Sequence, residues 1–326
     1  MNKVSTTLRT SDRLGAWKVR WGIGRMNYKI EPGLYTVNNP NAESVVLVSA
    51  NYKLSFDVLR SQLEGLDAWI LVLDTKGINV WCAAGKGTFG TCELVNRIKT
   101  TGLADVVNHR KLIVPQLGAV GVSAHEVRKQ SGFSVIYGPV RANDIKAFLK
   151  AGMKATEEMR QVRFSFYDRL VLTPVEFVSN LKYLILAIIA FFILSGMHAG
   201  SFSRNLMLHD GILSAAILLA AYVCGSVLGP ILLPWISGRS FALKGALLGL
   251  GLAAVLWSIG LTGPLPQTIG WLLLILTISS FLVMIFTGAS TYTSLSGVSK
   301  EMRIAVPLQL ISASAGVILW VISRFA

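Results

Sequence analysis

Between residues 181 and 326 the chain carries only nine ionic side chains: Lys182, Arg204, Asp210, Arg239, Lys244, Lys300, Glu301, Arg303 and Arg324. A water-facing fold of that size needs far more charge on its surface. The stretch is therefore restricted to helices that bury their faces in one another or in lipid. Apolar runs at about residues 181–197, 212–236, 241–261, 269–288 and 304–322 each approach the roughly 20 residues that cross a bilayer core. Gly229-Pro230 and Pro234 are read as marking the end of the second run. The expectation is an all-α transmembrane domain of five helices. With the N-terminus inside, the inner segments hold Arg169, Lys182, Arg239, Lys244, Lys300 and Arg303, and the outer ones only Arg204 and Arg324. That asymmetry places the N-terminal part in the cytoplasm, the C-terminus outside and the chain in the inner (cytoplasmic) membrane as a multi-pass protein. The runs are nearly free of ionisable groups, which argues for an anchor or docking platform over a pump or transporter. His198, at a run's end, reads as interfacial.

Residues 1–180 hold 24 of the 31 Lys and Arg and 15 of the 17 Asp and Glu. The basic residues are scattered and do not form a nucleic-acid pattern, so no nucleic-acid partner is expected. Cys82, Cys92 and Cys224 are the only cysteines. Without a CxxC they build neither a zinc nor an iron–sulfur site. The N-terminus has no apolar signal core, and the thiols are expected to stay reduced in the cytoplasm.

This half reads as α/β. The runs VVLVSA (Val45–Ala50), WILVLDT (69–75), KLIVP (111–115) and FSVIYGP (133–139) look like buried parallel strands. Helix-like segments at 55–64, 92–100, 123–130 and 143–150 alternate with them, with Ser55, Ser123 and Asn143 as N-caps. Strands alternating with helices imply a parallel sheet with crossovers, and ligands then sit at the strands' carboxyl ends. Before the first run, residues 17–35 alternate apolar and polar side chains around Gly22 and Gly24, which predicts a hairpin. The organisation is thus a β-rich N-terminal extension (1–44), an α/β domain (45–158), an interfacial linker rich in Arg and aromatics (159–180) and the transmembrane domain (181–326).

The odd stretch is NVWCAAGKGTFG, residues 79–90. Walker A spacing fails, because Val80 stands five positions before Gly85 and Gly87 follows Lys86. Gly85, Gly87 and Gly90 fit GxGxxG spacing, but they follow the second strand-like run and not the first. A nucleophilic thiol needs a base, and nothing in the sequence brings His109 or His125 to Cys82. Asn79 can cap a helix starting at Val80, which puts Cys82 in the first turn, where helix dipole and free amides favour thiolate. Such a thiolate is a good soft metal ligand. The glycines after it leave backbone bare for a large flat ligand.

On these residues the chain resembles a known family. NVWCAAGKGTFGT after WILVLDTKGI is similar to the cap-helix signature of the corrinoid protein of mercury methylation. Residues 45–149, with VPQLGAVGV and VIYGPVRANDI, resemble the corrinoid-binding domain of the corrinoid iron–sulfur protein of the acetyl-CoA pathway. The apolar tail also matches the mercury-methylation family. The resemblance implies a Rossmann-like corrinoid-binding domain with the corrinoid between the sheet's carboxyl edge and the cap helix. It makes Cys82 the catalytic residue and lower axial ligand of cobalt. Asn79, Val80, Trp81, Ala83, Ala84, Gly85, Lys86, Gly87, Thr88, Phe89 and Gly90 would contact the corrinoid. Gln116, Gly118, Gly121 and Gly138 lie in loops that would hold its nucleotide tail. Trp81 is read either as packing beneath the macrocycle or as a core residue.

The activity implied is that of a corrinoid-dependent methyltransferase: thiolate ligation favours transfer of methyl with its electron pair to Hg(II), forming methylmercury. The cobalt is then reduced again before accepting methyl from a methyl-donor protein or methyl-folate. The implied electron donor is a ferredoxin-like protein with two 4Fe–4S clusters, because this chain lacks the four-cysteine domain of the acetyl-CoA-pathway protein. DxHxxG is absent, so no histidine replaces the lower ligand. Cys92 stands where the family usually places an acidic residue and reads as incidental. Two other readings stay open: a membrane-bound corrinoid methyl carrier of one-carbon metabolism with another acceptor, and a nucleotide-binding membrane redox or transport protein.

Overall fold

The apolar runs of the first half become four adjacent strands of a six-stranded sheet. The structure, a computed structural model, describes residues 2–199, 201–289 and 295–325. The chain divides into two units, Met1–Arg163 and Phe164–Ala326.

Unit 1 runs β1 (Asn2–Val4), α1 (Thr10–Arg20), a 3-10 turn (Arg25–Asn27), β2 (Gly33–Val37), β3 (Val45–Ala50), α2 (Lys53–Ser61), β4 (Ala68–Leu73), α3 (Val80–Gly85), α4 (Thr91–Thr100), α5 (Leu103–Val106), β5 (Lys111–Val114), α6 (Ala124–Ser131), β6 (Ser134–Tyr137), α7 (Ile145–Lys150) and α8 (Glu157–Arg160). The sheet order is β1-β2-β4-β3-β5-β6. Strands β3 to β6 are mutually parallel, β2 is antiparallel to β4, and β1 parallel to β2. Strand β4 has every side chain buried, because helices cover both faces and alternation sends its residues into two cores. Trp69, Leu71 and Leu73 join Val46, Val48 and Ala50 in one, while Ala68, Ile70 and Val72 join Leu47, Phe56 and Phe148 in the other.

The expected hairpin at 17–35 is not formed, so the first 44 residues are not simply β-rich. Trp17, Val19 and Trp21 alternate with charges, a pattern that also suits a helix with Val19 buried and both tryptophans on the opposite side. Gly22 (φ +76°) and Gly24 (φ +65°) take left-handed backbone just past the helix end, where they stop it. Gly15 lets α1 lie on the Tyr28 ring, since a Cβ there would sit 2.5 Å from Tyr28 Oη. Strands β1 and β2 extend the main sheet.

Helix boundaries also move. Helix α2 starts at Lys53, ahead of Ser55, because Lys53 N is already bonded to Tyr28 O. Asn143 lies inside a 3-10 turn (Ala142–Asp144), not at a helix cap. The N-terminal segment is fastened to α2 by ions: Asp12 and Asp57 share Lys53 and Arg60 at 2.6–2.8 Å.

Unit 2 contains α9 (Phe166–Ser179), α10 (Leu181–Leu194), a two-residue ribbon β7 (Met197–His198) with β8 (Ser201–Phe202), α11 (Arg204–Val223), a π-helical segment (Cys224–Leu228), α12 (Gly229–Leu232), α13 (Phe241–Ser258), α14 (Leu265–Ile285) and α15 (Leu295–Ile322). By length and composition, four helices among the described residues can cross a membrane: Arg204–Leu232, Phe241–Ser258, Leu265–Ile285 and Ser296–Ile322. A fifth crossing exists only if α9 and α10, bent by 52°, count as one span. Helix α10 alone, at 14 residues, is ~21 Å long and falls short of a ~30 Å core. Residues 166–179 are thus not a free linker. Inside unit 2, buried Arg169 donates to Phe164 O and Ile231 O, and Phe177 packs edge-on against Tyr222. Gly229-Pro230 does not end the second span; the π turn before it absorbs the proline inside a continuous helix.

Glycines set the packing of unit 2. A Cβ on Gly245 or Gly249 of α13 would meet the backbone of α14 at Ser279 and Ile275. This is the close approach that small residues four apart permit in membrane helices. Arg324 and Asp210, 114 residues apart in sequence, form a 2.7 Å ion pair.

Candidate functional site

The candidate site begins where β4 stops. Asn51, 2% exposed at the carboxyl end of β3, accepts bonds from Thr75 N (3.1 Å) and Gly77 N (2.9 Å), and its oxygen lies 2.8 Å from Thr75 Oγ1. Its amide also donates to Asp74 Oδ1 at 3.2 Å. One buried side chain thereby folds the loop after β4 back over the sheet's carboxyl edge. Lys76 and Gly77 are both left-handed (φ +59° and +74°), which makes the reversal tight. From the other side Glu93 of α4 accepts from Asp74 N at 2.8 Å and from Arg97 at 2.7 Å. The ion pair with Lys76 holds the Asp74 carboxyl below the usual carboxylate range.

That reversal delivers Asn79 to the start of α3. Its side chain accepts from Cys82 N at 2.9 Å, a working N-cap. Over the next turns the helix sorts its residues. Trp81, Cys82, Gly85 and Lys86 are exposed, whereas Ala83 and Ala84 are buried in the core with Phe89. Trp81 is 42% exposed, so the core reading of that residue is wrong. The free thiol of Cys82 stands on the outer face beside the indole.

The glycines divide as well. A Cβ on Gly85 or Gly87 would meet nothing within 4 Å, so both border open space. A Cβ on Gly90 would lie 2.9 Å from Gly87 O, one on Gly118 would strike the Phe89 ring, one on Gly121 the Ala84 backbone, and one on Gly138 the Ile113 side chain. Those four serve chain-to-chain packing. Ala83, Ala84 and Phe89 likewise support α3 from below. The gap between sheet edge and cap helix is filled by these side chains, and the open side is the outer face. Gln116 begins a 3-10 turn (Gln116–Gly118) that packs against α3, next to the Thr91 N to Gly121 O bond. Val80 and Thr88 are half-buried at the rim.

Cys92, also exposed, lies in the first turn of α4. His109 is bonded to Ser44 O at 2.9 Å just before β5, on the sheet's amino side and away from α3. Sequence reasoning missed Asn51, Thr75 and Glu93; the only trace of the first was a polar residue ending an apolar run. Among the described residues no three His, Cys, Asp or Glu gather to hold a metal. A lone thiol with open space beside it fits a metal that brings its other ligands with it, as a corrin ring does.

Fold and site define an α/β domain with a mostly parallel sheet and an exposed thiol on a capped helix at its carboxyl edge. Residues 24–149 match the family of the CO dehydrogenase/acetyl-CoA synthase delta subunit. The chain is 31% identical over 128 residues to the acetyl-CoA decarbonylase/synthase complex subunit gamma of Archaeoglobus fulgidus, covering 39% of this chain and 27% of that protein. It is 32% identical over 133 residues to the subunit gamma of Methanopyrus kandleri, covering 40% and 28%. It is 28% identical over 127 residues to the corrinoid/iron-sulfur protein large subunit of Moorella thermoacetica, covering 38% and 28%. The chain thus spans little more than a quarter of the length of these relatives.

Proposed function

We propose that this chain is a corrinoid-dependent methyltransferase that passes a methyl group to Hg(II), with Cys82 as the residue whose thiol would hold the corrinoid's cobalt. One observation carries the reading: the exposed Cys82 thiol stands on the outer face of a capped first turn, between Trp81 and the open ground at Gly85 and Gly87. The similarity to a corrinoid/iron-sulfur large subunit supports a corrinoid as the ligand of that face. When bound, the corrinoid supplies a metal that takes up and releases a methyl group.

The protein's own part is positional. Asn79 occupies the Cys82 amide and anchors the turn that carries the thiol. Trp81 offers an apolar plane to the macrocycle, and Gly85 and Gly87 let it approach the backbone. Lys86, exposed at the helix end, lies within the same face to meet a peripheral amide. A thiolate, charged and soft, matches both a cobalt ligand and thiophilic chemistry. Under this reading unit 2 holds the protein in the inner membrane with unit 1 in the cytoplasm. Electrons come from a ferredoxin-like partner with two 4Fe–4S clusters, and methyl from a methyl-donor protein or methyl-folate.

Two measurements test this together. The purified chain should show the visible absorption of a corrinoid, altered in Cys82→Ala, and cells carrying that variant at equal expression should form no methylmercury. Wild-type methylmercury formation in Cys82→Ala would refute the role of the thiol. A second reading rests on the names of the relatives: a methyl carrier of one-carbon metabolism with a different acceptor. Methyl transfer to Hg(II) no faster than to other thiophilic acceptors would favour it.

A further inference from the structure

The N-terminal helix α1 carries a feature that the proposed chemistry does not use. Leu14, Trp17 and Trp21 are 56%, 57% and 36% exposed, and Ile23 and Met26 just beyond are 58% and 73% exposed. At about 100° per residue, positions 14, 17 and 21 form one narrow stripe on the face opposite buried Val19. Exposed Arg13 falls on one flank of the stripe and exposed Lys18 on the other, while Arg20 keeps its Nε buried.

Charge on this segment is one-sided. From residue 2 to residue 30 there are seven cations, Lys3, Arg9, Arg13, Lys18, Arg20, Arg25 and Lys29, and a single acid, Asp12. Asp12 is already neutralised against Lys53 and Arg60 on the inner side of the helix. The outer face of α1 therefore presents tryptophans and a leucine flanked by exposed Arg13 and Lys18. A protein partner's apolar patch would leave those flanking cations without counter-charge, whereas an anionic bilayer surface satisfies both. Indole rings settle at the headgroup level, aliphatic side chains enter the acyl boundary, and cations meet phosphates.

We propose that this stripe docks unit 1 onto an anionic lipid surface. The proposal rests on the reading that unit 2 crosses a membrane. Only residues 161–165 separate α8 from α9, so docking would be intramolecular and a weak surface affinity suffices. Docking also concerns the candidate site. The Met26 carbonyl lies 3.4 Å from where a Cβ on Gly77 would be, in the turn that leads to Asn79 and Cys82. The patch and the thiol helix thus share one rim of the sheet, and docking would turn that rim toward the headgroups.

The test uses the full-length chain in nanodiscs of phosphatidylcholine, with or without phosphatidylglycerol. Trp17 is replaced by the photoreactive p-benzoylphenylalanine, with matched labels at Leu250 in α13 and at Gln130 in α6. The expected result is lipid adduct at 17 that rises roughly fivefold or more with the anionic lipid, since each cation near such a surface is worth about that factor. Adding Arg13→Glu and Lys18→Glu should return it to the neutral-lipid level. Position 250 should label in both discs and position 130 in neither. Adduct at 17 no higher than at 130, or adduct to protein in place of lipid, with 250 labelled, overturns the docking alone. No lipid adduct at 250 overturns the membrane reading and the docking with it.

Discussion

Replacing Gly85 with alanine separates folding from ligand binding. Gly85 is the last residue of α3 and has ordinary helical backbone, so alanine is conformationally allowed there. Its added methyl would meet nothing within 4 Å. In a helix interior Gly→Ala stabilises by about 0.5–1 kcal/mol, and at a helix end the gain is nearer ~0.5 kcal/mol. The ligand-free protein should therefore hold α3 as firmly as wild type or slightly better. The same methyl projects from the exposed face that carries Cys82 and Trp81, where a flat macrocycle must come into contact. Forcing one carbon into such a contact costs about 1–3 kcal/mol, or roughly a 5- to 150-fold loss of affinity. Hydrogen exchange on peptides spanning 78–90 measures the first effect, and absorbance titration with a corrinoid measures the second. Unchanged affinity in Gly85→Ala would refute the placement of the ligand on this face; faster exchange without ligand would refute the account of the helix.

Gly121→Ala should do the opposite. Its methyl would sit 3.1 Å from Ala84 Cα, closer still to the Phe89 carbonyl, and backbone cannot step aside. A loss of about 1–3 kcal/mol should appear as faster exchange in α3 before any ligand is added. Asn51→Ala strips the Thr75 and Gly77 amides of their buried acceptor. A destabilisation of about 2–4 kcal/mol should show as a lower urea midpoint for unit 1. Finally, burial opposes ionisation of Asp12, but hydrogen bonds from Lys53, the Arg9 amide and Arg60 outweigh it and bring its pKa from 3.8 to about 2. A lowered carboxylate pKa adds stability that is complete above about pH 4 and disappears as pH falls through about 2, worth roughly 1–2 kcal/mol after solvent screening. Exchange of α1 amides should therefore accelerate over that window in wild type, and Asp12→Asn should already be fast at neutral pH.

Much of the candidate site was legible because it is local. Asn79 and Cys82 are three residues apart, and a cap is a relation between near neighbours, so the motif alone implied the bond that the fold contains. The inward and outward sorting of α3 was not legible. Ala83 and Ala84 are small enough for either side, and only Phe89 and the Gly118–Gly121 turn beneath them decide that they face the core. Asn51 was invisible for the same reason, since its partners lie more than twenty residues away across the sheet.

By itself the sequence determined the two kinds of structure in the chain. Nine ionic groups in 146 residues leave no option but apolar helices, and four uninterrupted apolar runs separated by helix-length segments demand a covered parallel sheet. Both follow from the cost of leaving apolar surface in water, which composition and period record directly. Tertiary structure alone decided the rest: that 17–20 is helix and not hairpin, that β2 pairs antiparallel with β4, that α9 and α10 bend by 52°, and that the open ground lies at Gly85 and Gly87 and not at every glycine nearby. Short segments satisfy more than one period, and a missing Cβ does not say what stands opposite it. Those choices are settled by contacts between residues far apart in the chain.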